Sequence, residues 1–292
     1  MDINARNENQ IWRVIDVINW AKQYFQKLSF DNPRREIEWL LQDLFNCKRV
    51  DLYLRFDKTL SKQELKTLRS WIKRRLKQEP LQYITGQTEF YGRKFIVDSN
   101  VFIPRPETEQ LIEASLQITK NDKKLNILDI GTGGGCIAVT LACELPEAKV
   151  TGIDHSNSAL DNARKNAEAN GLKNIEFKLI DILKEVPASK FTLIVSNPPY
   201  IPKKEIEHLN DDVKNFEPHE ALTDFEDGMV FYKRLVTIAP NILEKNGYIA
   251  MEAGYGSQPE KVHELFSIPK FHSVELIKDL NGDERIIQAQ LL

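Results

Sequence analysis

Hydrophobic residues recur at helical spacing from about Gln10 to Leu28, where Ile11, Val14, Ile15, Ile18, Ala21, Phe25 and Leu28 make one stripe and predict an amphipathic helix. Asn32-Pro33 has the form of an N-cap followed by proline at the first helical position, and Ile37, Leu40, Leu41 and Leu44 carry the period through a second helix. Ser61 and Glu64 stand at capping-box spacing before Leu65, Leu68, Ile72 and Leu76, which predicts a third helix ending before Pro80. Residues 1–84 therefore read as a small helical bundle.

The pattern then changes. Gln87 to Val97 is short, aromatic and β-branched, with a break at Tyr91-Gly92, and residues 85–104 are expected to form a β-hairpin linker. From 105 to 292, strand-like runs at Ile127–Ile130, Val150–Asp154, Ile175–Leu179, Phe191–Ser196, Tyr248–Met251, Val274–Ile277 and Ile286–Gln290 alternate mostly with helical stretches. This predicts an α/β domain, a mostly parallel seven-stranded Rossmann-like sheet covered on both faces. Asn281-Gly282 between the last two runs predicts a closing antiparallel hairpin. Pro240, inside the apolar stretch Met229–Leu243, is expected to kink or restart a helix. The polar stretch Lys203–Asp227 is long for a loop, and its length predicts a lid.

Composition adds bounds. A chain of 292 residues with 41% hydrophobic content can bury two cores. A formal net charge of −3 excludes a global basic field for nucleic acid or anionic membrane, and no apolar run reaches spanning length. One local exception is the third helix, with Lys62, Lys66, Arg69, Lys73, Arg74, Arg75 and Lys77: a face for an acidic partner or RNA phosphates, or a solvated one. Cys47, Cys136 and Cys143 form neither a CxxC pair nor an even disulfide set, and nothing after Met1 reads as a signal segment; a soluble cytoplasmic protein is expected. None of the five histidines has metal-ligand spacing with another His or with Cys.

Candidate chemistry concentrates at strand ends. Ile194-Val195-Ser196 runs into Asn197-Pro198-Pro199-Tyr200, and the two prolines, lacking N–H groups, force the chain out of the ladder at the carboxyl end of a strand. A planar, conjugated NH2 group is a poor nucleophile and must be oriented to react. The Asn197 side-chain oxygen and the Pro198 carbonyl offer two acceptors for its two hydrogens, and Tyr200 offers a flat wall. Taken alone, the tetrapeptide also reads as a surface turn.

Upstream, Asp129-Ile130-Gly131-Thr132-Gly133-Gly134-Gly135-Cys136 follows the first strand of the sheet. Cys136 stands where a dinucleotide fingerprint needs glycine, and the Gly131, Gly133, Gly135 spacing is that seen with S-adenosylmethionine. Asp154, closing the second strand, can accept both hydroxyls of an adenosine ribose. Asp181 can accept from an adenine amino group, with Ile182 as an apolar contact; singly, either acid also reads as a turn or cap carboxylate. Arg105, clamped in Ile103-Pro104-Arg105-Pro106-Glu107-Thr108-Glu109, either contacts a ligand or forms a structural ion pair.

Phe90-Tyr91-Gly92, Ile103 to Glu109, Asp129 to Gly135, Ser196 to Tyr200 and Phe216-Glu217-Pro218 leading to Ala221-Leu222 together resemble the release-factor glutamine methyltransferases, the PrmC/HemK family, over nearly the full chain. The resemblance implies a class I S-adenosylmethionine-dependent methyltransferase that methylates the glutamine side-chain amide in the Gly-Gly-Gln loop of class I peptide chain release factors. It implies S-adenosylmethionine on Gly131 to Gly135, Asp154, Asp181, Ile182 and Asn197, and the glutamine on Asn197, Pro198, Pro199 and Tyr200, with Arg105 beside it. The partner is then the release factor, with no membrane or stable nucleic-acid association and a monomeric enzyme. A nucleic-acid amino-methyltransferase and a non-catalytic cofactor-binding module are the competing readings.

Overall fold

A computed structural model describes residues 11–120, 124–279 and 281–292. They fall into two compact units, one ending at Gly86 and one running from Gln87 to Leu292.

In the first unit the predicted helices are α1 (Val14–Lys27), α2 (Pro33–Phe45) and α4 (Lys62–Arg75), joined by the short α3 (Arg49–Leu54) and followed by α5 (Leu81–Thr85). Both predicted caps form: Asn32 accepts from Arg35 N at 3.3 Å, and Ser61 and Glu64 bond each other's backbone N–H. The expected start of α1 at Gln10 lies outside the described residues; Arg13 is its N-cap. Val14, Ile18, Phe25, Ile37, Leu40 and Leu68 close a core between the helices. The basic run on α4 is divided by burial. Arg75 turns inward to Glu36 of α2 at 2.6 Å, and Arg74 holds Glu79 and the carbonyls of Tyr83 and Ile84, so both brace the bundle. Lys62, Lys66, Arg69, Lys73 and Lys77 stay exposed.

The second unit begins with the antiparallel hairpin β1 (Gln87–Phe90) and β2 (Arg93–Ile96), turning through Tyr91 and Gly92 at positive φ. Such a turn matches the twist of the strands it joins. Expected as a linker, the hairpin instead adds buried Phe90 and Phe95 to this unit's core. The sheet comprises β3 (Asn126–Ile130), β4 (Lys149–Asp154), β5 (Ile175–Leu179), β6 (Phe191–Ser196), β7 (Leu243–Glu252), β8 (Phe271–Lys278) and β9 (Glu284–Leu291) in the order β5-β4-β3-β6-β7-β9-β8, parallel except for β9. Alternation along the strands sends Ile127 and Val195 to one face and Leu128, Ile130 and Ile194 to the other. The first face packs under α6 (Glu109–Thr119) and α7 (Cys136–Glu144). The second packs under α11 (Val230–Ile242) and α12 (Gln258–Leu265). Burial on both faces is why the central strands read as unbroken apolar runs.

Two local expectations change. Helix α11 runs through Pro240 without a restart, because the proline falls in its last turn and β7 begins at Leu243. Residues 203–227 carry their own short helices: a 3₁₀ turn Lys203–His208, α9 (Asp211–Phe216) and α10 (His219–Leu222). Asp224 then accepts the N–H groups of Glu226, Gly228 and Val230, which ties the segment to the start of α11.

Candidate active site

β3 has β4 on one side and β6 on the other, so the chain reverses its direction of travel across the sheet there, and a crevice opens beyond the strands' carboxyl ends. A cavity of about 320 Å³ lies in it, lined by Gly131 to Gly134, Asp154, Asn197, Pro199 and Tyr200 among others. A neighbouring cavity of about 240 Å³ shares Gly131, Asp154, Pro199 and Phe231 and is completed by Asp181, Ile182 and Pro198.

The glycine loop is held by its backbone. Gly131 N and Thr132 N both donate to Ile153 O at 2.9 Å, and Gly133 N donates to Asp154 Oδ2 at 2.9 Å. Gly131 and Gly133 have φ of 72° and 54°, and a Cβ on either would project into open space, so the cradle admits a ligand against bare backbone. Gly135 differs from the expectation that grouped it with the ligand. It lines neither cavity, and its Cβ would come 2.9 Å from that of Ala163 on α8 (Asn157–Ala169), so its role is close helix packing.

Asp154 is buried and accepts from Gly133 N and Ser156 N, one on each oxygen, and each oxygen keeps a further lone pair. Asp181 accepts from Leu183 N, and its ion pair with Lys184 at 2.7 Å holds its carboxyl below the usual range. Ile182 beside it is buried. His155, next to Asp154, reaches Glu220 of α10 at 2.9 Å, so the 203–227 segment is pinned at the rim of both cavities.

Behind the loop, burial pushes the Asp129 carboxyl up to about 7, against bonds from Thr132 and Ala138 that lower it. A carboxyl protonated in the folded chain and ionised in the unfolded one loses stability as pH rises from about 4 toward 7, at a limiting slope of about 1.4 kcal/mol per pH unit. Urea unfolding of the wild type is expected to show this fall between pH 5 and 7, and Asp129→Asn to flatten it. Equal slopes in the two proteins would refute the assignment.

At the end of β6, Ser196 Oγ donates to Ile130 O at 2.8 Å, which locks the strand end from which Asn197 emerges. Asn197 Nδ2 donates to Thr108 Oγ1 at 3.1 Å, so its side-chain oxygen occupies the opposite end of the carboxamide. Among the described residues no donor reaches the Pro198 carbonyl oxygen. Tyr200 is fixed from behind: Gln258 Nε2 donates to the carbonyls of Tyr200 (2.9 Å) and Gly228 (3.2 Å) while its Oε1 accepts from Gly254 N. A Cβ on Gly228 would stand 2.3 Å from Tyr200 O. Burial and nearby Glu252 push the Tyr200 phenol up, so it is neutral.

Arg105, expected beside the substrate, lines neither cavity. Its guanidinium pairs with buried Glu217 and with Ile103 O and stacks on Phe102, so it ties the clamped segment to the 203–227 segment. The ion-pair alternative weighed from sequence is the one the geometry carries. Sequence reasoning missed Gln258, Thr108 and the buried pair Glu252–Arg285 behind Tyr200. Glu252 had a signal: an acid closing an apolar strand, as Asp154 does. Among the described residues no three His, Cys, Asp or Glu side chains could hold a metal ion, and no helix is long and apolar enough to cross a membrane.

A doubly wound sheet with glycine loop, strand-end carboxylate and Asn-Pro-Pro-Tyr at three neighbouring strand ends defines a class I methyltransferase. Comparison with known proteins agrees: residues 121–288 match the model of a methyltransferase domain and residues 16–86 that of the PrmC N-terminal domain. A release factor glutamine methyltransferase of Geobacter sulfurreducens is 39% identical over 282 residues, covering 97% of this chain and 98% of that protein. One from Koribacter versatilis is 40% identical over 91% of this chain and 94% of its own, and one from Bacillus cereus 35% identical over 96% and 99%. The chain belongs to the release factor glutamine methyltransferase family.

Proposed function

We propose that this enzyme transfers a methyl group from S-adenosylmethionine to the side-chain amide nitrogen of the glutamine in the Gly-Gly-Gln motif of class I peptide chain release factors. The reading is carried by one observation: Asn197 donates through Nδ2 to Thr108, and the Pro198 carbonyl has no donor among the described residues, so two oxygens are left to accept the two N–H groups of a carboxamide. The bare cradle at Gly131 and Gly133, the Asp154 carboxylate and the Asp181–Ile182 pair fit S-adenosylmethionine. When bound, it supplies an electrophilic methyl group on a sulfonium.

The protein's own part is positioning. A carboxamide nitrogen has its lone pair delocalised into the carbonyl, the resonance that also flattens peptide bonds, and fixing both N–H groups leaves the out-of-plane direction as the one open to attack. Tyr200, held by Gln258 and Arg285, walls the planar group, and a neutral phenol adds no charge there. Once methylated, the nitrogen is strongly acidic, so its surplus proton needs no strong base. Orientation of this kind contributes up to roughly 7–11 kcal/mol in well-aligned systems.

The test is a mass spectrum of the release-factor loop peptide before and after incubation with enzyme and cofactor. One added methyl on the glutamine is expected, with ribosomal RNA and DNA unlabelled in parallel. Label on nucleic acid and none on the release factor would overturn the reading.

A further inference from the structure

A tetrapeptide built on two prolines cannot hold its shape by ladder bonds. Pro198 and Pro199 have no N–H to give, and β6 ends at Ser196. Its upstream end is tied where Ser196 Oγ donates to Ile130 O at 2.8 Å. We propose that Gln258 is the positioning residue that secures the downstream end, so that the Pro198 carbonyl and the Tyr200 ring stand where the substrate amide meets them. This rests on the reading of the tetrapeptide as the amide-binding site.

One side-chain carboxamide joins three stretches that are far apart in the chain. Gln258 Nε2 donates to Tyr200 O at 2.9 Å and to Gly228 O at 3.2 Å, while Oε1 accepts from Gly254 N at 2.7 Å. All three partners are backbone groups, and their polarity is fixed: a carbonyl only accepts and an N–H only donates. The carboxamide therefore has a single orientation. Turned over, it would set its oxygen against two carbonyl oxygens and its NH2 group against an N–H. Gln258 is the first residue of α12, whose Val262 is fully buried in the core, so the side chain projects from a seated helix rather than from a loop.

The surroundings leave room for it. Gly228 has φ of 78°, and a Cβ there would stand 2.3 Å from Tyr200 O and 3.0 Å from Gln258 Nε2. A Cβ on Gly254 would stand 2.5 Å from Gln258 Oε1 and 3.0 Å from Tyr200 Cδ2. At neither glycine can a side chain be added without displacing Gln258 or Tyr200. The residue after Tyr200 is tied as well, since Ile201 N donates to Leu222 O at 2.9 Å.

Gln258 lines neither cavity of the site. It lines a wider cleft whose wall also includes Tyr200, which lines the first cavity too, so the clamp bears on Tyr200 from outside that cavity. The glycine loop and Asp154 are held by other bonds. Loss of the clamp therefore falls on methyl transfer rather than on cofactor binding.

The test compares Gln258→Met, which keeps the length of the side chain and removes its hydrogen bonds, with Gln258→Glu. The latter keeps shape and an acceptor for Gly254 N, but when ionised has no hydrogen for the two carbonyls. Full-length release factor is the substrate. The single-turnover rate at saturation and the cofactor affinity by calorimetry are measured for each variant and for wild type at two pH values, about 5.5 and about 8, which bracket the range over which a raised carboxyl titrates. Gln258→Met is expected to lower the rate about tenfold at both, the scale of one or two lost hydrogen bonds, with cofactor affinity within about twofold of wild type. Gln258→Glu is expected to be no faster than Gln258→Met at the higher pH. At the lower pH its rate relative to wild type is expected to rise about threefold, because a carboxyl set against two carbonyl oxygens is held above the usual carboxylate range and, once protonated, donates one O–H.

Wild-type rate in Gln258→Glu at the higher pH would overturn the inference, since shape alone would then suffice. So would wild-type rate in Gln258→Met, a Gln258→Glu ratio that does not change with pH, or cofactor affinity falling in step with the rate. Should Gln258→Met not fold, the pH dependence of Gln258→Glu decides alone. A wild-type enzyme that does not methylate release factor at all would instead overturn the substrate reading, and is seen separately from any Gln258 effect.

Discussion

Asn197→Ala is expected to lower methyl transfer to release factor about a hundred- to a thousandfold, the loss found when one preorganised polar group is removed from a reacting centre, while cofactor affinity stays within a fewfold of wild type. The asymmetry follows from where its atoms lie. The cradle proposed for the cofactor is built by backbone at Gly131 and Gly133, just beyond β3, and by the Asp154 carboxylate at the end of β4, and among the described residues Asn197 makes none of the bonds that hold that loop. Its one side-chain hydrogen bond among the described residues goes to Thr108. Removing the side chain therefore leaves the cradle standing and takes away the acceptor proposed for the substrate amide. Calorimetric titration of the cofactor beside single-turnover kinetics checks this. Equal losses in affinity and rate would show that Asn197 serves the cofactor as much as the substrate, and that the two cavities are not chemically separate.

How much of this was visible in the chain depends on the range of the interactions. The strands of the sheet and the glycine loop were legible because period and punctuation are local: apolar runs ending at Ile130, Asp154 and Ser196 mark strand ends, and positive φ at Gly131 and Gly133 needs glycine. The caps at Asn32 and Ser61 were legible for the same reason. What the sequence hid was pairing across distance. Arg105 finds Glu217, 112 positions away, and no local rule says whether a clamped arginine turns to a ligand or to a distant acid. Gly135 shares its spacing with the cofactor loop, and only the position of Ala163 reveals that it serves packing. Arg75 sits in a run of exposed cations, and only α2, bringing Glu36 beside it, turns it inward. The 203–227 segment looked like a loop because its helices are a turn or so long, too short for a period to show.

The Glu252–Arg285 pair was hidden in the same way, 33 positions apart on adjacent antiparallel strands, and the second large effect is expected there. Glu252→Ala leaves Arg285 buried and uncompensated, and is expected to destabilise the fold by about 3–5 kcal/mol. The pair is nonetheless a weak source of stability. Arg285 Nε and Nη1 have no hydrogen-bond partner among the described residues, and besides the Tyr200 hydroxyl its guanidinium meets the faces of Tyr255, at 4.1 Å, and Tyr200, at 5.6 Å. Replacing both charges by apolar residues of similar volume, Glu252→Leu with Arg285→Met, removes the desolvation of two ions together with their attraction, and such swaps are often neutral or stabilising. The double variant is therefore expected to regain most of the stability that Glu252→Ala loses, as read by urea unfolding. It is not expected to regain turnover, because Tyr200 then has no guanidinium at its hydroxyl. A double variant that recovers both stability and kcat would mean that the pair only fills space. Recovery of stability alone would mean that two ions are kept in the core, at little net gain to the fold, because Arg285 holds the Tyr200 hydroxyl at the site.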